Sequence, residues 1–260
     1  MTTYLDAILE RKRLEVAALA AATPERELRA RLGDAPPVRD LAAALSAPGG
    51  PTRVIAEVKR ASPSAGAISA GLDAVDQARR YQAAGAAAIS VLTDGPGFGG
   101  SLADLLAVRA AVALPVLRKD FTVDAWQLTE ARAAGADAAL LIAAALPGEL
   151  LRRLHDRCGE LGLHALVEVH DEAEAERALR AGARLVGVNN RDLRTFAVDL
   201  ATSERIIPTL PASVKGVAES GVRTGADAAR LRAAGAVNLL VGEALVRATD
   251  PGALLQELCR

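Results

Sequence analysis

The sequence predicts an α/β fold, a (βα)8 TIM barrel preceded by an N-terminal helical extension. Three observations predict it. First, a motif recurs four times: a helix-like run ends in Ala-Gly-Ala, and an apolar run follows almost at once. Gly85 precedes Ala88–Leu92, Gly135 precedes Ala138–Ile142, Gly182 precedes Leu185–Val188, and Gly235 precedes Leu239–Val241. Glycine tolerates the left-handed conformation that closes a helix. Second, these glycines lie 50, 47 and 53 residues apart. One βα unit takes roughly 25–30 residues, so each interval holds two. Third, the apolar runs are continuous rather than alternating, as in strands covered on both faces.

Four further strands fall before and between the marked ones, at Val54–Val58, Val116–Lys119, Ala165–Val169 and Val214–Ala218. Eight strands alternating with helices favour a parallel sheet, and eight units in about 205 residues fit a closed barrel. An open doubly wound sheet is the alternative. Residues 1–50 lie outside this count. Asp6–Ala22 reads as a helix, with Leu5, Ile8, Leu9, Val16 and Leu19 near a 3.6-residue spacing. Pro24 opens a second helix, which Pro36-Pro37 breaks, and Pro48–Pro51 is a turn before the first strand. We read residues 1–50 as an extension packed on a barrel of residues 51–260, one structural domain overall.

Composition narrows the function. There are 31 Lys+Arg against 32 Asp+Glu, a net charge of −1, which argues against binding nucleic acid or membrane by bulk electrostatics. Six aromatic residues leave little for stacking on single strands. Alanine accounts for 58 residues, which raises a helical rod as a rival; 22 Gly and 12 Pro spread along the chain disfavour it. Cys158 and Cys259 make no metal or redox spacing, and a reducing, cytoplasmic setting is expected. No charge-free apolar run reaches about 18 residues, and Met1–Glu10 lacks a signal-peptide pattern.

In such a barrel, chemistry sits at the C-terminal strand ends. These ends are polar here. The first runs into Glu57, Lys59, Arg60 and Ser62, the second into Thr93 and Asp94, and the third into Arg118-Lys119-Asp120. The fifth carries Glu168, the sixth ends at Asn189-Asn190-Arg191-Asp192, the seventh at Glu219-Ser220-Gly221 and the eighth at Gly242-Glu243. One charge at a strand end is usually a solvated rim group. Two lysines and three glutamates converging on one mouth instead suggest acids and bases that shift one another's pKa. Ser220-Gly221 and Gly242 place small residues before the next helices, where backbone N–H groups attract phosphate. A small-residue loop, Arg60–Gly66, suits a lid. His170 is the one histidine near the mouth and reads as a structural or rim residue. No metal triad and no phosphate-binding G-x-x-x-x-G-K-[ST] loop is present.

These stretches resemble the indole-3-glycerol-phosphate synthase family of tryptophan biosynthesis. The matching runs are Ile55–Ser64, Ser90–Asp94, Phe98–Ser101, Pro115–Phe121, Leu166–His170, Gly187–Leu193, Ala218–Gly221 and Leu240–Glu243, with Arg11-Lys12-Arg13 and Glu15 in the extension. The resemblance implies ring closure, decarboxylation and dehydration of 1-(2-carboxyphenylamino)-1-deoxyribulose 5-phosphate, with no cofactor and no metal. It implies Lys119 as general acid at the ketone and Glu168 as general base in the dehydration. Lys59 is a second cation, and Glu57 positions Lys119 and the substrate hydroxyls. Asn189 and Glu219 hold the ribulose chain, and Arg191 holds the carboxylate that leaves. Ser62, Ser220, Gly221, Gly242 and Glu243 (by its backbone) cradle phosphate, and Phe98 and Phe121 wall the aromatic ring. The chain is expected to be a cytoplasmic monomer, with weak association with other tryptophan-pathway enzymes.

Three features depart from the family pattern. The loop Asp94–Phe98 holds one aromatic, Glu243 stands where some relatives have Ser, and Leu72-Asp73-Ala74 lacks a proline. On the same barrel, a sugar-phosphate isomerase or a Schiff-base aldolase is the competing enzyme. The isomerase is disfavoured because no cysteine lies at a strand end. A non-catalytic phosphate-binding barrel is the competing binder, disfavoured by the paired acids and bases.

Overall fold

The computed structural model describes residues 4–62, 66–69, 71–193 and 195–260, and of Ser62 the backbone only. Eight parallel strands close on themselves: β1 Arg53–Val58, β2 Ala88–Leu92, β3 Val116–Lys119, β4 Ala138–Ile142, β5 His164–Val169, β6 Leu185–Asn189, β7 Lys215–Glu219 and β8 Asn238–Val241. Each strand pairs with its neighbours in sequence, and β1 meets β8 in the register Arg53↔Asn238. The open doubly wound alternative is therefore excluded. Every predicted strand is present, with ends moved by at most one residue.

The glycines do what their spacing predicted. Gly85, Gly135, Gly182 and Gly235 follow helix ends at φ +96°, +84°, +95° and +90°. The alanine-rich helices lay small side chains on the strands. Ala78, Ala131, Ala178 and Ala228 are buried, so helix and sheet approach closely. Asp73 caps the helix Ala74–Ala83 by accepting the Asp76 N–H, and so starts it without the missing proline.

Before the barrel come α1 Tyr4–Ala22, α2 Glu25–Arg31 and the short α3 Leu41–Ala44. Two expectations change here. α2 ends at Arg31, well short of Pro36. Leu19 is 43% exposed, so the buried face of α1 is Ile8, Leu9, Lys12 and Val16 instead. Val16 joins Leu28 and Trp126 in a small cluster, and the Trp126 indole N–H donates to Thr23 O at 2.9 Å. No described helix is long and apolar enough to cross a membrane.

The lysine on α1 is buried for a reason. Lys12 Nζ lies 2.6 Å from Asp94 Oδ1, 3.0 Å from Asp120 Oδ1 and 3.0 Å from Glu15 Oε1. Arg11 Nη2 donates to both Asp94 oxygens, at 3.0 and 2.8 Å. Asp120 Oδ2 accepts from Thr93 Oγ1 at 2.5 Å and from Arg118 Nη2 at 3.2 Å. This network rivets α1 across the ends of β2 and β3. Asp94 and Arg118, expected at the mouth, are thereby spent on structure. Arg60 is spent likewise: it forms a two-pronged pair with Asp104 at 2.7 and 2.9 Å.

Candidate active site

Side chains along a strand alternate faces, so residues two apart point the same way. Glu57, Lys119, Glu168 and Glu219 sit near the ends of β1, β3, β5 and β7, the alternate strands that build one interior layer of such a barrel. Two residues before each come Ile55, Leu117, Leu166 and Val217, all fully buried. The four ionisable groups therefore rest on an apolar floor, where water screens little and charges act strongly.

Above that floor opens a cavity of about 690 Å³. Of the fourteen site residues expected from sequence, thirteen line it: Glu57, Lys59, Phe98, Lys119, Phe121, Glu168, Asn189, Arg191, Glu219, Ser220, Gly221, Gly242 and Glu243. The fourteenth, Ser62, contributes backbone to a two-stranded ribbon, Ala61–Ser62 against Gly66–Ala67; its side chain lies outside the description. The lid expected over Arg60–Gly66 falls partly on residues 63–65, also outside the described residues.

Two ion pairs organise the centre. Lys119 Nζ lies 3.3 Å from Glu168 Oε2 and 3.9 Å from Glu219 Oε2. Lys59 Nζ lies 2.9 Å from Glu57 Oε1. Glu57 thus partners Lys59 and not Lys119, unlike the expectation that it positions Lys119; it acts on Lys119 only through its field. Burial works against the Lys119 charge, but Glu168, Glu219 and Glu57 outweigh it and hold the ammonium above its ordinary value. The two neighbouring carboxyls part company. Burial, then the Glu168 charge, pushes Glu219 well above the usual carboxylate range. Burial also opposes ionisation of Glu168, but Lys119 and His170 bring it below its ordinary value. The centre therefore favours a protonated lysine and pushes its two carboxyls in opposite directions, Glu168 toward the ionised form and Glu219 toward the protonated one. That is a donor beside an acceptor, the arrangement proton transfer needs.

Glycines make room for these carboxyls. A Cβ on Gly187 would overlap Glu219 Oε1, and one on Gly242 would fall 2.5 Å from Glu57 Oε1. At the mouth, Ser220 and Gly221 both take left-handed backbone, φ +63° and +86°, and Asn190 Nδ2 holds Ser220 O at 3.0 Å. Contrary to the expectation from sequence, they do not directly precede a helix: the next one begins at Gly225, capped by Thr224. Gly242 does precede one, Glu243–Arg247, and Glu243 turns its carboxylate to Arg247 at 3.0 Å.

Sequence reasoning missed two aromatic rings. Phe98 and Phe121 lie 5.8 Å apart, tilted, on one wall. Tyr4 and Phe196 meet edge-on at 5.3 Å and line the same cavity, together with Leu5 and Ile8 of α1. The apolar wall is therefore not limited to the two phenylalanines. No periodicity marks Tyr4 or Phe196; they meet only because α1 crosses the mouth. Leu140 and Ile142 of β4 also line it, a strand whose end carries no polar signal.

Comparison with known proteins agrees with this architecture. The sequence pattern of the family described as "Indole-3-glycerol phosphate synthase" matches residues 5–258. Proteins of that name from Mycobacterium avium (strain 104) and Mycobacterium tuberculosis (strain H37Rv) are each 53% identical over 256 residues, spanning 98% of this chain and 93% of theirs. Among solved structures, a thiamine phosphate pyrophosphorylase from Pyrococcus furiosus superposes with a TM-score of 0.58 at 18% identity, covering 80% of this chain and 93% of its own. An N-acetylmannosamine-6-phosphate 2-epimerase from Clostridium perfringens gives 0.58 at 15% identity, covering 74% and 86%. At those identities the two structures speak for the fold alone.

Proposed function

The chain belongs to the indole-3-glycerol phosphate synthase family, and from that premise we propose how its residues divide the reaction. The enzyme is a carboxy-lyase of tryptophan biosynthesis. It converts 1-(2-carboxyphenylamino)-1-deoxyribulose 5-phosphate to indole-3-glycerol phosphate, CO2 and water.

Lys119 is the general acid. It donates a proton to the ketone oxygen as the ring carbon bearing the carboxylate attacks the carbonyl carbon. The observation that carries this is its ammonium held between Glu168 and Glu219. Departure of CO2 then leaves a hydroxyl to expel. Lys59 stands at the same oxygens, and its ion pair with Glu57 holds it in place. Glu168, kept ionised, takes the proton lost in dehydration. Asn189 and Glu219 hold the ribulose chain. Arg191 binds the carboxylate that leaves; its guanidinium is steadied by Phe196 O at 3.2 Å. Backbone N–H groups of Ser220, Gly221 and Glu243, with Gly242 and Ser62, take the phosphate. Phe98 and Phe121, with Tyr4 and Phe196 of the same cavity, enclose the anthranilate ring. Residues 1–50 serve as an extension of one barrel domain, and the enzyme works as a cytoplasmic monomer, in weak association at most with other enzymes of its pathway.

The deciding experiment is turnover of this one substrate, followed by the fluorescence of the indole product. Absence of product with well-folded protein would overturn the reading. Two substitutions test its parts. Arg191→Met is expected to raise KM by ~10–100-fold with a smaller fall in kcat, the effect of losing charge-assisted hydrogen bonds to a bound carboxylate. Gly187→Ala is expected to displace the Glu219 carboxyl and lower kcat by about 10²-fold, with circular dichroism unchanged. Wild-type kcat in that variant would show that the position of Glu219 is not critical.

A further inference from the structure

His170 stands just past β5, two residues after Glu168, and the reaction as derived does not use it. Its ring is wedged between two carboxylates. Nδ1 lies 3.1 Å from Glu174 Oε2, and the same oxygen accepts the His170 backbone N–H at 2.9 Å. Nε2 lies 3.5 Å from Glu168 Oε1, fully buried and without a hydrogen-bond partner. The other oxygen of Glu168 faces Lys119 at 3.3 Å. The base of the proposed dehydration is thus flanked by an ammonium on one side and an imidazole on the other.

The chemistry of the ring follows from its neighbours. An ionised carboxylate only accepts hydrogen bonds, and a neutral imidazole carries one N–H. A ring between two ionised carboxylates serves both only when each nitrogen is protonated. Every charged group facing it fits that state or bears weakly against it. Glu174 comes from the following helix, Glu172–Arg180, and its second oxygen lies 4.0 Å from Arg177. Glu168 comes from its own strand. Lys119, from β3, lies beyond Glu168. Burial favours the neutral ring and Lys119 opposes its charge, but Glu174 and Glu168 outweigh both and raise its pKa.

We propose that His170, anchored by Glu174, is a positioning residue that takes over as the counter-charge of Glu168 when Lys119 turns to the substrate ketone. In the free enzyme Lys119 balances Glu168. Once Lys119 serves the substrate, Glu168 would be left ionised in a buried site without its nearest cation. The Nε2–Oε1 gap is about half an ångström longer than an ordinary N–H···O bond, so a small rotation of either side chain closes it. No covalent bond changes and no proton changes owner; one ion pair is exchanged for another. Glu174 matters because it fixes which ring nitrogen faces Glu168.

This inference rests on Glu168 acting as the base, and the experiment separates the two claims. The pH profile of kcat is measured for the wild type, His170→Asn, Glu174→Gln and Glu168→Gln. Removing a cation beside Glu168 raises its pKa, so in H170N the acid limb should move up by about one pH unit. In E174Q, which keeps the ring but loosens its anchor, it should move the same way by less. At high pH, where Glu168 is ionised regardless, both variants should recover most of the wild-type kcat. Folded H170N and E174Q with unmoved acid limbs would overturn the role of His170, and so would a uniform loss across all pH values. Should H170N fail to fold, E174Q alone decides. An E168Q variant with wild-type turnover would instead overturn the role of Glu168 itself.

Discussion

Replacing Lys119 with alanine should lower kcat by 10²- to 10⁴-fold, the usual contribution of a positioned acid, while the barrel stays folded. Two effects add. In the proposed mechanism Lys119 supplies the proton for the ketone oxygen, and Lys59, paired with Glu57 at 2.9 Å, replaces it poorly. Glu168 also loses the charge that does most to keep it ionised, so the base of the second half is weakened with the acid of the first. An alanine leaves Glu57, Glu168 and Glu219 facing one another on an apolar floor. Glu168, its nearest cation gone, shifts toward its protonated form, which limits the cost in stability. Steady-state fluorescence kinetics with far-ultraviolet circular dichroism read both quantities. A folded K119A enzyme within tenfold of the wild type would remove Lys119 from the chemistry.

Lys12→Met should give the largest loss of stability of any change discussed, about 3–5 kcal/mol, because it strips one partner from a buried charge cluster. Asp94 and Asp120 are both buried, and among the described residues Lys12 is the cation paired with both. Arg11 and Arg118 each remain with one of them. For a chain of this size every kcal/mol moves Tm by about 2–4 °C, so thermal and urea unfolding will read the effect. The pH dependence carries a sign. Burial opposes the Asp120 charge, but Arg118, Lys12 and Thr93 hold its pKa below the ordinary value. Its contribution is therefore complete above the unfolded pKa, near 3.9, and is lost as pH falls through the lower folded value. In K12M that acid-side loss should begin at higher pH. Tyr4, Leu5 and Ile8 sit on the same helix and line the cavity, so KM should rise more than kcat falls. Unchanged stability would mean that the rivet between α1 and the barrel contributes nothing.

Much of the fold was legible because its signals are local. A helix-closing glycine and the apolar strand behind it lie within a few residues, and four copies at near-equal intervals leave little but a barrel. The ring of Glu57, Lys119, Glu168 and Glu219 was legible for the same reason: strand ends are where this architecture gathers function. What remained hidden depends on distance in sequence. Asp94 reads like any polar strand end, and only the arrival of Arg11 and Lys12 from 82–83 residues away makes it structural. Tyr4 and Phe196 form one wall although 192 residues separate them. The pairing of Glu57 with Lys59 was hidden differently. Both neighbours of Glu57 were recognised, but spacing does not say which lysine it faces. Nor does it give the path after Ser220, where two left-handed residues delay the helix to Gly225.

The inner ring has one more consequence. Lys59 is paired with Glu57 and Lys119 with Glu168, so each cation of the ring already faces a carboxylate. Such a ring exerts little pull on a substrate that carries both a carboxylate and a phosphate. Capture then falls to the lip of the barrel, where Arg191 and Arg223 border the opening. Attraction and chemistry are assigned to different tiers of the same mouth, so evolution can retune the appetite of the enzyme at its lip without disturbing the acids and bases beneath.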